Sequence, residues 1–170
     1  MFWLPIWGER TLDGSMLEKT VVTSAALIAH IIGSYFAGPL LLRYKRRTIL
    51  FTSYFISFLS ASFMYSYFHS DGIGVIIFAM LLGFFFGIIP GAFAIYFPEL
   101  FPTKIRSTAE GFCYSTARLI TAIGVLYSGY LVQKFSGNIG QAAAIMPLTF
   151  LFGAIVSLFA KETNKDLLPT

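Results

Sequence analysis

Two side chains that can carry charge interrupt otherwise apolar segments of this chain, and each could do chemistry there. His30 lies inside residues 21–42, and Arg118 lies inside residues 108–132. Free imidazole titrates with a pKa of about 6.5, so His30 could carry a proton or contact a solute; equally, it could be a neutral side chain with one hydrogen-bond partner. A guanidinium in the middle of a hydrocarbon layer costs at least about 2.5 kcal/mol, so we expect Arg118 to face protein or water.

The chain lacks the residue patterns of common enzyme and metal sites. His30 and His69 are 39 positions apart, which offers no metal-ligand spacing, and there is no P-loop. The eight acidic residues include no pair inside an apolar segment, and no nucleophile–base pair suits an intramembrane hydrolase. The single cysteine, Cys113, excludes a disulfide within the chain. We therefore predict no enzyme activity, no metal and no cofactor, but the binding or passage of a solute.

The elements that must position these side chains are membrane-spanning helices. Hydrophobic residues make up 56% of the 170 residues and charged residues only 12%, against about 25% in soluble domains. Apolar runs of about 18 residues or more indicate transmembrane helices, because backbone groups in lipid must bond within the segment. The net charge of +4 does not indicate nucleic-acid binding, since the bases cluster in short loops between apolar runs. We therefore predict an all-α membrane protein in a lipid bilayer.

Five full transmembrane helices and the end of a sixth account for nearly the whole chain. Each full span has about 20–25 residues, which at about 1.5 Å per residue crosses a hydrocarbon core of about 30 Å. We predict the end of a helix at residues 1–7, full spans at residues 21–42, 48–68, 74–97, 108–132 and 141–160, and a polar tail at residues 161–170.

Lysine and arginine are distributed unequally between the two ends of these spans. Eight of them lie on the side of the loop at residues 43–47 and three on the opposite side, and the alternation holds across all five spans. The side richer in bases usually faces the cytoplasm. We therefore predict a multi-pass protein of the plasma (inner) membrane with a cytoplasmic C-terminus.

Small residues recur at helical spacing in three of the spans, those at residues 21–42, 74–97 and 108–132. Gly83, Gly87 and Gly91 are four positions apart, and Pro90 precedes the last of them. Close packing of helix backbones is one interpretation of such a stripe. The other is that helices with a proline–glycine break bend or slide while they line a cavity. The stripe in residues 108–132 consists of Gly111, Ser115, Arg118, Ala122 and Gly129.

The segment YFPELFPTKIRSTAEGFCYSTAR resembles the loop between the tenth and eleventh helices of major facilitator superfamily transporters. It is most similar to the sugar and metabolite branch, which includes proton symporters of the lactate and sialic acid type and has a pattern like PELFPTxxRxTGxGFxxNxGR. Ala109 and Ala117 stand where glycine is usual, and Ser115 replaces a common asparagine. The matching residues are Pro98, Glu99, Leu100, Phe101, Pro102, Thr103, Arg106, Thr108, Gly111, Phe112 and Arg118.

Three further segments agree with this resemblance in order and spacing. GPLLLRYKRR resembles the GxxxDRxGRR loop, with Arg43, Arg46 and Arg47 in place but Leu42 for the aspartate. KETNKDLLP resembles the PETKGxxLP tail, and MFWLPIW resembles the outer end of helix seven. The resemblance implies the C-terminal half of such a transporter, helices eight to twelve with the end of seven. An N-terminal six-helix half would be needed to alternate access.

The resemblance also implies roles for particular residues. It implies a charge network at the cytoplasmic gate, in which we expect Glu99 to pair with Arg43 or Arg118; alternatively, these charges only set the topology. Candidates for substrate or proton contact are His30, Ser34, Trp3 and Ser115. The network positions are Glu99, Arg43, Arg46, Arg47, Arg106 and Arg118, and the hinge or packing positions are Gly83, Gly87, Pro90, Gly91 and Pro102.

Together these features predict transmembrane transport of a small polar solute, a sugar or an organic acid, coupled to protons and working by alternating access. The alternative is a truncated or non-transporting membrane fragment or subunit that only packs with partner helices.

Overall fold

The computed structural model describes residue 4, residues 16–67, 73–135 and 143, and residues 145–163, and these residues form helices and turns without any strand. The predicted all-α fold is therefore confirmed. Trp3, and the predicted end of a helix at residues 1–7 apart from Leu4, lie outside the described residues. In chain order the helices are α1 (Met16–Arg43), α2 (Arg46–Tyr67), α3 (Ile73–Leu100), α4 (Arg106–Lys134) and α5 (Leu148–Ser157).

Three of these helices are long and apolar enough to cross a membrane: Lys19–Arg43 in α1, Arg46–Ser66 in α2, and Ile73–Leu100, which is α3. Helix α4 has the length, with 29 residues, but is less apolar. Its interior carries Arg118 together with several serine and threonine residues, which lower its hydropathy. The predicted span at residues 108–132 therefore stays a prediction.

Helix α5 is shorter than the span predicted at residues 141–160. Its ten residues extend about 15 Å, roughly half of a hydrocarbon core. Pro147 directly precedes it, and a proline has no backbone N–H but suits the start of a helix. Tighter turns extend the segment at both ends, since the Met146 N–H bonds to the Ala143 carbonyl and the Leu158 N–H to the Ile155 carbonyl, both at 3.1 Å.

Helices α1 and α3 pack with their backbones in contact along the glycine stripe. A Cβ atom at Gly83 would collide with the carbonyl of Ala26, and one at Gly87 with the carbonyl of His30. At Gly91 it would lie 2.7 Å from the Ala37 Cβ and 2.8 Å from the Ser34 carbonyl oxygen. This stripe thus serves close helix packing in the described structure.

Helix α3 continues through Pro90 and Pro98, which both lie inside it, and it ends at Leu100. Pro102 follows in a turn, where its carbonyl accepts a hydrogen bond of 3.1 Å from the Ile105 N–H. Helix α4 begins at Arg106 after this turn. The turn therefore reverses the chain at the same end of the bundle as the loop between α1 and α2.

Helix α2 packs against α3 and α5 and completes the core. Its face toward the core carries three buried serines, Ser53, Ser57 and Ser60. Two apolar clusters fill the interior. One, near the start of α1, includes Val22, Ala26, Ala61, Met64, Val75, Ala79 and Leu82, and the other, near its end, includes Ala37, Leu41, Ile49, Leu50, Ile88, Ala92 and Tyr96.

Helix α4 has little contact with the rest of the described structure. Its contact with α3 is near one end, where the rings of Phe97 and Tyr114 are 5.4 Å apart. Most of its apolar side chains are exposed, including Leu119 at 68% and Leu126 at 78%. The two regions of the bundle therefore differ in kind: α1, α2, α3 and α5 share a core, whereas α4 presents an open surface.

Candidate functional site

A bidentate ion pair joins the first residue of α2 to the end of α3. The Arg46 Nη2 donates to the Glu99 Oε1 at 2.7 Å, and the Arg46 Nε donates to the Glu99 Oε2 at 3.1 Å. Two parallel bonds between the planar guanidinium and a carboxylate form the strongest common type of side-chain pair. Because each residue stands at a helix end, the pair fixes the relative position of α2 and α3 at this end of the bundle.

The same guanidinium also binds the end of α1. Its Nη1 donates to the Leu41 carbonyl, one of the last carbonyls of α1, which have no partner within that helix. Only two residues, Tyr44 and Lys45, separate α1 from α2, so Arg46 can reach back across the turn. One side chain thus holds the ends of three helices.

The segment after α5 closes the site from the other side. The Thr163 hydroxyl donates to the Glu99 Oε2, and the Glu162 Oε1 accepts a 3.1 Å bond from the backbone N–H of Arg46. The Glu162 carboxylate therefore binds at the N-terminus of α2, where the helix dipole favours negative charge. Next to it, the Tyr96 hydroxyl donates to the Lys161 carbonyl at 2.7 Å. We call Arg46, Glu99, Glu162 and Thr163 the charged-end cluster.

The charged-end cluster is largely removed from solvent. The Arg46 side chain is 8% exposed and the Glu99 side chain 15%. Taking both charges out of water costs much of what their attraction gains, so the pair adds little net stability compared with apolar residues. Removing one partner would, however, leave the other charge buried and unpaired. Such a pair works best as a device that specifies one arrangement of the helix ends.

The expectation that Glu99 pairs with Arg43 or Arg118 is wrong for the described structure, because Arg46 holds it. Arg43 is the last residue of α1 and its side chain is exposed. Arg118 lies about 18 Å along α4 from Arg106, so it is far from the turn at the charged end. Sequence spacing could not show which of the nearby Arg43, Arg46 and Arg47 pairs with Glu99, because the pairing depends on which side chain points back into the bundle.

The remaining network positions surround the cluster. Arg47 is exposed. Arg106 is half-buried, and its Nε donates to the Phe101 carbonyl at 3.4 Å, so it binds the turn that precedes α4. These residues lie at the same end as the charged-end cluster, where Arg46 holds Glu99. Their part in a network therefore stays a prediction.

The candidates for solute or proton contact lie on two different helices. His30 lies on the α1 face that packs on α3, with its ring 5.5 Å from the ring of Phe86. Its Nδ1 is buried and has no hydrogen-bond partner among the residues that the structure describes. Ser34 is half-buried beside Gly91, and Ser115 is exposed on α4. The described residues, searched by themselves, hold no group of three His, Cys, Asp or Glu that could bind a metal.

Sequence reasoning did not recognise that the segment after α5 takes part in this site. That segment matched the family tail, but Glu162 and Thr163 were given no role. The sequence did contain a signal for their role. Glu162 and Thr163 come just after an apolar span, on the side of the membrane that is predicted to carry most of the lysines and arginines. An acid there needs a cation nearby, and the loop at residues 43–47 supplies several.

Comparison with known proteins decides the family. Residues 1–166 match the family model described as Major Facilitator Superfamily. This chain belongs to that superfamily. The membership agrees with the long apolar helices and makes the chain an integral membrane protein of a family of transporters.

Three curated relatives of this facilitator chain are transport proteins by name. It is 32% identical over 166 residues to the cis,cis-muconate transport protein of Acinetobacter baylyi, and the matched region covers 96% of this chain and 39% of that protein. It is 29% identical to the glycine betaine/proline/ectoine/pipecolic acid transporter OusA of Dickeya dadantii, over 83% of this chain and 29% of the relative. It is 24% identical to the inner membrane metabolite transport protein YdjE of Escherichia coli, over 96% and 35%. The chain thus spans well under half the length of these relatives.

Proposed function

We propose that this chain forms the C-terminal half of an alternating-access transporter for a small polar solute, a sugar or an organic acid. The observation that carries the proposal is the buried bidentate pair of Arg46 and Glu99, set within a chain of the major facilitator superfamily. The long apolar helices and the resemblance to helices eight to twelve support this assignment. The chain acts as one of two bundles, which rock around a site between them.

In this proposal the charged-end cluster is the cytoplasmic latch. It ties the ends of α1, α2 and α3 to the segment after α5 in one arrangement. Opening this end requires the buried pair to separate or to move as a unit, and either step changes its exposure to water. Because paired and separated arrangements are discrete, the latch gives the conformational equilibrium two states rather than a continuum.

The solute and the coupling ion are part of the proposal. The names of two relatives refer to muconate and to betaine, proline and related compounds, which are small solutes that carry carboxylates. We propose coupling to protons, with His30 as the proton carrier of this half. Its Nδ1 is buried between α1 and α3, and the acidic residues of the described helices, Glu18, Glu99 and Glu110, all lie near helix ends. The protein resides in the plasma (inner) membrane with its C-terminus in the cytoplasm.

The alternative function is packing without transport. The open surface of α4 favours it, because an exposed apolar helix in a membrane protein can bind other helices and do nothing more. The two functions differ in one respect that can be measured. Only the transporter moves solute once an N-terminal half is supplied.

The test is uptake by two halves expressed together. We expect membrane vesicles that contain this chain and the N-terminal half of the Acinetobacter baylyi muconate relative to accumulate labelled cis,cis-muconate, whereas vesicles with either half alone do not. A panel of labelled sugars and amino acids in the same vesicles defines the solute class. If the halves insert and co-purify but no member of the panel enters, the packing function holds and transport is wrong.

Labelling of a single cysteine on each side of the same complex tests the latch. Glu99→Gln should increase labelling on the cytoplasmic side and decrease it on the outer side, because the neutral amide no longer holds Arg46. Lys104→Gln, which changes a charge in the neighbouring turn, is the matched control. Unchanged labelling in Glu99→Gln would exclude the latch.

A further inference from the structure

Arg118 is the residue of the predicted gate that lies farthest along its helix from the charged end. It is the only lysine, arginine, aspartate or glutamate between Glu110 and Lys134, a stretch that makes up most of α4. It lies about 18 Å along the helix from Arg106 and about 24 Å from Lys134. In the membrane span predicted at residues 108–132, a charge this far from both helix ends needs an anion or a water-filled space beside it.

The described acidic groups near the charged end are already engaged elsewhere. Glu99 is held by Arg46 and Thr163, and Glu162 accepts from the backbone of Arg46. Glu110 precedes Arg118 by eight residues, or about 12 Å along the axis of α4. Within the part of the chain that the structure describes, Arg118 makes no ion pair, and its side chain is exposed.

Arg118 lies one turn beyond the described contact of α4 with α3, which is made by Tyr114 and Phe97. The less exposed residues near the start of α4 recur every three or four positions: Arg106, Ala109, Glu110, Cys113 and Thr116. Arg118 is not among them, and its side chain is exposed. The exposed Ser115 lies one turn before it, so a hydroxyl accompanies the guanidinium on that side.

The space beside Arg118 is open. On the side of α4 that carries Arg118, no described atom apart from the neighbouring residues and backbone of α4 itself lies within 4 Å of the place that a Cβ would occupy at Gly111 or Gly129. The glycines of α3 differ, since the backbone of α1 fills the space beside them. The guanidinium therefore stands beside room for a small molecule, with a hydroxyl next to it.

We propose that Arg118 binds a carboxylate of the transported solute, with Ser115 as an additional hydrogen-bond donor, and that the solute is therefore an organic acid rather than a neutral sugar. The planar guanidinium matches a carboxylate with two parallel bonds, and its charge needs the partner that the described residues do not supply. This inference rests on the proposed transport function and narrows its solute class.

The test uses the complex of the two halves, with uptake of labelled cis,cis-muconate competed by the unlabelled acid or by its uncharged dimethyl ester. Arg118→Gln should raise the KM for the acid about tenfold to hundredfold, the range for loss of a charge-assisted bond, and abolish the preference for acid over ester. Arg118→Lys should restore part of the preference. Lys134→Gln, on the same helix, should leave both values unchanged.

Two results would overturn the inference while leaving transport in place. One is an unchanged preference for acid over ester in Arg118→Gln. The other is a fall in the maximal rate alone, which would indicate that Arg118 pairs with an acidic side chain of the other half. The inference would also be overturned if Arg118→Gln reduced the uptake of neutral sugars as much as the uptake of the acid.

A direct binding measurement keeps the inference testable if no uptake is seen. The purified chain in lipid nanodiscs is titrated calorimetrically with muconate and with its dimethyl ester. Binding of the acid at least tenfold tighter than that of the ester, lost in Arg118→Gln, supports the carboxylate site even if the transport proposal fails. Equal binding of the two compounds, or equal binding by the variant, overturns it.

Discussion

Two series of small residues look alike in the sequence and have different surroundings in the structure. Gly83, Gly87 and Gly91 of α3 stand against the backbone of α1, where a single added carbon would collide. Gly111 and Gly129 of α4 face open space in the part of the chain that the structure covers. The difference teaches that helical spacing of small residues permits close packing but does not require it. Close packing occurs only where the backbone of a neighbouring helix lies beside the small residues.

The same contrast separates two arginines. Arg46 is buried, and its side chain holds Glu99 and the end of α1. Arg118 is exposed on α4. The packed region therefore uses its arginine to fix helix ends, whereas the open region presents its arginine to whatever enters. Substitutions in the two regions should differ in size and in kind.

The largest effect on stability should come from breaking the ion pair of the packed region. Glu99→Ala leaves the Arg46 guanidinium buried without its carboxylate, and we expect a loss of about 3–5 kcal/mol in the free energy of unfolding. Arg118→Ala removes an exposed charge and should change that free energy by less than about 0.5 kcal/mol. Both are measured by denaturant titration of the purified chain in mixed micelles. Equal losses in the two variants would contradict the contrast between the arginines.

A smaller effect should follow from adding one carbon at the contact of α1 with α3. Gly87→Ala places a methyl group against the carbonyl of His30, and the helices must move apart to accept it. Forcing an extra carbon into a packed interface costs about 1–3 kcal/mol. The same titration measures this, and cross-linking between cysteines placed on α1 and α3 reports the separation. If Gly87→Ala unfolds at the wild-type denaturant concentration, the two backbones do not touch as described.

The all-α membrane fold could be predicted from the sequence because it depends on run length and on the need of backbone groups in lipid to bond within a helix. The sequence predicted that the glycine stripe of α3 allows close packing, but not that α1 is the helix packed against it. The pairing of Glu99 with Arg46 could not be predicted for a related reason. Arg43, Arg46 and Arg47 lie within four positions of one another in the sequence, and their spacing does not show which of them points into the bundle. In the structure it is Arg46, because its guanidinium reaches back to the Leu41 carbonyl.

The segment after α5 shows a second limit of sequence reasoning. Thr163 and Glu162 lie 64 and 116 positions from the residues that they bind, Glu99 and Arg46. Contacts this distant in sequence depend on the path of the whole chain. Pattern and spacing act over a few turns of one helix, so they could place these residues at the charged end but could not assign their partners.

The smallest effect should come from the open series, and it should have the opposite sign. Gly111→Ala meets no described atom within 4 Å, so no packing is lost. Alanine is more favourable than glycine inside a helix by up to about 1 kcal/mol, because glycine loses more backbone freedom on folding. We therefore expect Gly111→Ala to stabilise the chain slightly in the micelle titration, with Gly129→Ala as the matched second site.

Repeating this measurement on the complex of the two halves shows whether the open surface stays open. If both alanine variants remain neutral or stabilising there, the space beside α4 is left for solute, as the proposed role of Arg118 requires. If they destabilise the complex by about 1–3 kcal/mol, as Gly87→Ala does in the packed region, the other half fills that space with its own backbone. The glycine series of α4 would then be a packing surface like that of α3, and the contrast between the two regions would belong to the isolated chain alone.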